Sequence, residues 1–128
     1  MEEKNLDQVC ETYKQYLSQA KTERECVSLL VKLAKENGYR ELDEYKELKP
    51  NDKIVIPYMN KCIALFQVGK QPLEKGMNIL GAHIDSPRLD VKQNPLYENE
   101  GFAYLDTHYY GGIKKYQWVT QPLAIHGV

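Results

Sequence analysis

A chain of 128 residues has room for one domain with a modest core. Its 42% hydrophobic and 27% charged content is that of a soluble globular protein, and a formal net charge of −1 offers no basic face to nucleic acid. No apolar run approaches the ~20 residues needed to span a bilayer, and the polar, acidic start "MEEKNLDQ" is neither a secretory signal nor a transit peptide.

The first element in chain order is a helix over residues 4–20. Leu6, Val9, Cys10, Tyr13, Tyr16, Leu17 and Ala20 recur at three- and four-residue spacing and make one apolar stripe opposite Lys, Glu and Gln. A second helix opens on Thr22 and Glu25, a T-x-x-E capping box in which hydroxyl and carboxylate satisfy free backbone N–H groups reciprocally. Cys26, Leu29, Leu30, Leu33 and Ala34 form its expected buried face, and Asn37-Gly38 its left-handed stop. Cys10, Cys26 and Cys62 are odd in number and contain no CxxC pair. They read as reduced packing cysteines, which predicts a cytoplasmic protein.

From Lys53 the pattern turns to strand. "KIVIPY" and "CIALFQVG" are rich in branched and aromatic residues, with Asn60-Lys61 between them as a hairpin turn and Pro57 marking an edge or a bend. After the loop "QPLEKG", the near-continuous apolar run "MNILGAHI" predicts a strand buried on both faces, as in the middle of an α/β sheet. "RLDVKQ" is a short alternating strand, "NPLYENEG" a turn-rich break, and the aromatic remainder is expected to hold strands and turns only. The composition shift near Asn94 suggests a boundary, giving domains 1–93 and 94–128. The apolar ending "AIHGV" reads as a strand cut short, so the chain is expected to be the first part of something longer.

"GAHIDSP", residues 81–87, carries the chemistry. On a strand, residues i and i+2 point the same way, roughly 6.5 Å apart, so His83 and Asp85 can share a side while Ile84 packs opposite. A metal-bound imidazole usually gives its second N–H to a carboxylate, and His-x-Asp can meet that need locally. Pro87 cannot donate to a ladder and holds Ser86 extended, while Gly81 and Ala82 leave room beside the histidine. The strand ends of α/β sheets are also where such folds place ligands. The alternative is a structural hydrogen bond at a turn, and spacing alone makes that the commoner case. Zinc wants three or four protein ligands, and no second cluster with ligand spacing is present. His108 and His126 are isolated, Cys62 has no partner for a nucleophile role, and "YYGGIKK" lacks the spacing of a phosphate loop.

"NILGAHIDSPRLDVKQNP" resembles the aspartyl aminopeptidase family of co-catalytic zinc metallopeptidases, a divergent bacterial-type branch. The match runs through Gly81, Ala82, His83, Asp85, Ser86, Pro87, Leu89, Val91 and Lys92, with Ile84 in place of the usual threonine. "YYGGIKKYQW" is similar to that family's Tyr-Gly-Gly-Gly…Trp segment, with only Gly111-Gly112 adjacent. The resemblance implies an α/β fold class: the amino-terminal part of a zinc-peptidase-like α/β/α catalytic domain, then the start of an inserted all-β domain. It makes His83 a ligand of one of two zinc ions and Asp85 the carboxylate orienting it.

The activity so implied is hydrolysis: release of single amino-terminal residues from peptides by a water activated between two metals, zinc by resemblance, with cobalt or manganese also suited to such donors. The other ligands and the general base have no motif in this chain, so the chain by itself is expected to be inactive. Peptides are the expected substrates, nucleic acid and membrane are not expected partners, and the resemblance implies a homo-oligomer, in the family's case a large tetrahedral assembly. The rival readings are a non-catalytic assembly or interaction module and a relative with a different co-catalytic site.

Overall fold

The computed structural model describes residues 3–128, with side chains from residue 5 onward. The chain divides into two compact units, Met1–Ile84 and Asp85–Val128.

The first unit opens with α1 (Glu3–Gln19) and α2 (Glu23–Glu36). The stripe on α1 forms as a helical face, yet Leu6, Val9, Tyr13 and Leu17 are each at least 44% exposed. Only its carboxyl-terminal end is covered, where Tyr16 is half-buried and Ala20 buried. The capping box of α2 is made as expected. Thr22 Oγ1 accepts from the Glu25 N–H at 3.3 Å, and the Glu25 carboxylate accepts from the Thr22 N–H at 2.9 Å. Such a cap is worth about 1 kcal/mol. At the other end the Gly38 N–H reaches the Lys35 carbonyl and the Tyr39 N–H the Ala34 carbonyl, a Schellman closure that Gly38 permits at φ +82°.

The buried face of α2 is rotated from the expected one. Cys26, Val27 and Ala34 are closed off, while Leu33 is left exposed. Cys26 and Ala34, about two turns apart, share the covered side of the helix.

The sheet under α2 has the order β1-β2-β3: β1 (Arg40–Glu41) pairs parallel with β2 (Lys53–Tyr58), which pairs antiparallel with β3 (Cys62–Gln67). Ile54 and Val55, on opposite faces of β2, are both buried and anchor the unit. Pro57 is tolerated in this central strand because β1 pairs only as far as Val55, so the strand is locally an edge at the proline. The hairpin turn sits one residue earlier than the sequence suggested. Met59 and Asn60 both have positive φ, 50° and 53°, and the Lys61 N–H closes onto the Tyr58 carbonyl, as in a type I′ turn. Tyr45 ties the intervening loop down, donating to the Lys53 carbonyl at 2.7 Å with Arg40 lying 4.1 Å from its ring centroid.

The expected buried strand at "MNILGAHI" is not one in the structure. Residues 77–87 form no ladder with any described residue, and Ile79 and Leu80 are 80% and 101% exposed. Its apolar run is the composition of a central strand, but a strand exists only with neighbours to accept its hydrogen bonds.

The second unit is built on a long antiparallel ribbon, β4 (Arg88–Asn99) and β5 (Phe102–Tyr110). The expected break at "NPLYENEG" is instead the far half of β4. A register shift between Val91 and Leu96 leaves residues 92–95 opposite Asp106 alone, and Pro95, which has no N–H to offer, falls inside this irregularity. The composition shift near Asn94 lies at the same place. Glu100 and Gly101, φ 50° and 79°, make the tight turn. Beyond β5 comes α3 (Lys115–Trp118), a single helical turn where only strands and turns were expected. It closes through Gln117 and Trp118 N–H groups on the Lys114 carbonyl.

Candidate functional site

The division between the units falls at the Ile84–Asp85 bond, inside the motif itself. Gly81, Ala82 and His83 are exposed, whereas Ile84, Asp85 and Ser86 are half-buried. Without a ladder at residues 77–87, the motif cannot take its geometry from a sheet, and it is held by other means.

In the first unit the holding group is a thiol. Cys26, buried on α2, donates from Sγ to the Ile84 carbonyl at 3.2 Å. Behind it stands Tyr16 of α1. Burial, helped by its hydrogen bond with Cys26, pushes the Tyr16 phenol up to about 12. The first two helices thus meet beside the backbone of the residue that follows His83.

In the second unit the holding group is a phenol. The Tyr110 hydroxyl, at the end of β5, donates to Asp85 Oδ2 at 2.8 Å. The ring is fixed in turn: Arg88, its cross-strand partner, lays its guanidinium 4.2 Å from the ring centroid and reaches Asp90 Oδ1 through Nε at 2.7 Å. Gly111 then turns at φ +73°, with room for a Cβ only 3.4 Å from Pro87. The backbone angle is what favours glycine there, since a Cβ at that distance would make ordinary contact with Pro87.

Tyr110 is the residue the sequence reading missed. A tyrosine beside a double glycine gives no signal by itself. No local signal marked it, because a tight turn at Glu100-Gly101 in unbroken register would not set Tyr110 opposite Arg88; the register shift between Val91 and Leu96 does. His108 does not join this group. It sits on β5 paired with Asp90, its ring 5.1 Å from that of Tyr109. His126 lies in an exposed stretch without regular secondary structure, and Cys62 is exposed on β3.

Among the described residues no three His, Cys, Asp or Glu side chains converge as a metal site would require. His83 is exposed and Asp85, two residues on, is half-buried, so the described residues bring together at most one imidazole and one carboxylate here.

The chain is a mixed helix-and-sheet protein, and the comparisons define its class. Residues 16–128 match the family described as "Aminopeptidase I zinc metalloprotease (M18)", and the chain belongs to that family. A "Probable M18 family aminopeptidase 1" of Clostridium acetobutylicum is 57% identical over 120 residues, covering 91% of this chain and 26% of that protein. Its namesake from Borrelia garinii subsp. bavariensis is 48% identical over 128 residues, covering 99% and 28%. The crystal structure of aminopeptidase I from Borrelia burgdorferi B31 superposes with a TM-score of 0.83 at 40% identity, covering 95% of this chain and 31% of that one. The chain therefore spans about a quarter of the length of the curated relatives it matches.

Proposed function

We propose that this chain contributes to a metal-dependent aminopeptidase that releases single amino-terminal residues from peptides. His83 is a ligand of one of two metal ions, and Asp85 orients its imidazole. Zinc fits the family, and cobalt or manganese fit the same donors. Two such ions, when bound, supply an activated water and a Lewis acid for the peptide carbonyl. The part of the work done by this chain is narrower: His83 offers a donor in an exposed position, and Asp85, two residues on and hydrogen-bonded by Tyr110, offers a carboxylate.

The observation that carries this reading is the pinned His83-x-Asp85 segment in a chain of the zinc metalloprotease family. The remaining ligands and the general base belong, on this reading, to the three-quarters of the relatives' length that this chain does not cover. Residues 1–93 are read as catalytic-domain sequence and 94–128 as the start of an inserted β domain serving a homo-oligomeric, tetrahedral assembly. The outer edges of the two-stranded ribbon, unpaired among the described residues, support an assembly role for this part of the chain. Reduced cysteines support a cytoplasmic location.

The test is His83→Ala in the complete protein. Bound metal should fall and peptidase activity should vanish. Full activity with both metals retained would sink the assignment, and a complete parent protein that bound no metal would leave the assembly module in its place.

A further inference from the structure

We propose that Tyr110 is a positioning residue of this site, fixing the Asp85 carboxylate so that Asp85 can hold its partner in one orientation. The proposal rests on the reading of His83 and Asp85 given above.

A carboxylate at a half-buried position turns about its Cβ–Cγ bond unless something fixes one oxygen. The Tyr110 hydroxyl fixes Oδ2 at 2.8 Å, and a phenol-to-carboxylate bond is of the stronger, charge-assisted kind. Fixing one oxygen sets the plane of the group, and with it the direction of Oδ1. Such a device works only if the donor itself stays still. Three contacts keep Tyr110 still: its backbone is paired with Arg88, its ring face is covered by the Arg88 guanidinium, and that guanidinium is tied to Asp90. The chain leaves the strand at once through Gly111, whose backbone passes close to Pro87 at the end of the motif.

A tyrosine that served only to finish the strand would need its ring and not its hydroxyl. Phenylalanine would then replace it without loss, since the cation–π contact with Arg88 uses the ring alone. The structure assigns the hydroxyl a separate task 25 residues away in sequence.

The experiment compares Tyr110→Phe with the parent in the complete, metal-loaded protein. Removing an outer partner of a metal-ligand arrangement weakens metal binding by 10–100-fold in other metalloproteins. Tyr110→Phe should weaken zinc binding by about tenfold in a chelator competition. It should also lower kcat with KM unchanged and shift the visible bands of the cobalt-substituted enzyme. In an Asp85→Ala background the same substitution should add nothing to the loss, because the acceptor it directs is gone. Tyr109→Phe, one residue earlier on the opposite face of β5, should leave metal binding as it was.

Parent-like zinc affinity in Tyr110→Phe would overturn the proposal. So would a tenfold loss repeated in full in the Asp85→Ala background, which would show that Tyr110 acts independently of Asp85. His83→Ala separates the two levels. If it keeps metal and activity, the reading of His83 fails. If it loses them while Tyr110→Phe does not, only the role of Tyr110 fails.

Discussion

The two compact units are held together by different physics. Among the described residues the six buried hydrophobic ones, Ala20, Cys26, Val27, Ala34, Ile54 and Val55, lie in the first unit, where α2 closes on a three-stranded sheet. The second unit buries no described residue to that degree. It relies on the β4–β5 ladder, the Tyr97–Tyr104 stack at 5.2 Å between ring centroids, and polar links such as Lys92 to Asp106 at 2.9 Å. Burial is cooperative and unforgiving of lost volume, whereas a two-stranded ribbon is marginal by itself and sensitive mainly to its turn. The division of the chain falls within the motif: His83 belongs to the unit that has a core and Asp85 to the unit that has a ladder.

This contrast can be broken by substitution. The largest effect is expected from Ile54→Ala, which should lower the unfolding free energy by about 3 kcal/mol in denaturant titrations. Amide exchange along β4 and β5 should stay as in the parent if the units are energetically separate. Next comes Gly101→Val, which forces a branched residue to φ +79° and should cost about 1–2 kcal/mol. That loss should appear as faster amide exchange in β4–β5, with α2 and β2 unaffected. Uniform loss across both units from either substitution would show them to be one cooperative body.

Smaller, because Tyr16 keeps some contact with solvent, is a pH effect confined to the first unit. A phenol raised from 10.0 to about 12 in the folded state keeps its proton there while the unfolded chain has lost it. The resulting stability is complete below pH 10 and is lost as pH rises from 10 towards about 12. Tyr16→Phe should flatten that slope in pH-dependent thermal unfolding. Smallest is Lys92→Ala. Both partners of its ion pair are about half exposed, so a change above about 0.5 kcal/mol in the stability of the ribbon would contradict the surface character assigned to it.

What could be read from the sequence was what neighbours in sequence decide. The Thr22–Glu25 box, the Gly38 stop and the two strands flanking the first hairpin depend on spacing of three or four residues or on alternation, and all are present. The resemblance around His83 was equally local and led to the right family. The features that depend on distant partners were not legible. "MNILGAHI" has a central strand's composition without a ladder beside it, and Asn94-Pro95 looked like an ending because the register shift that accommodates them needs β5 to define it. The link from Tyr110 to Asp85 was hidden for the same reason, since it follows from the register of a ribbon whose second half had been read as a break.

Cys26 gives the molecule a built-in clock. Cys10 and Cys62 are exposed and Cys26 is buried, with its thiol hydrogen committed to the Ile84 carbonyl. Alkylating reagents therefore reach two sulfurs directly and the third only when α2 parts from the backbone beside His83. The slow third modification would time the opening of the proposed metal-binding segment, with no label added to the protein.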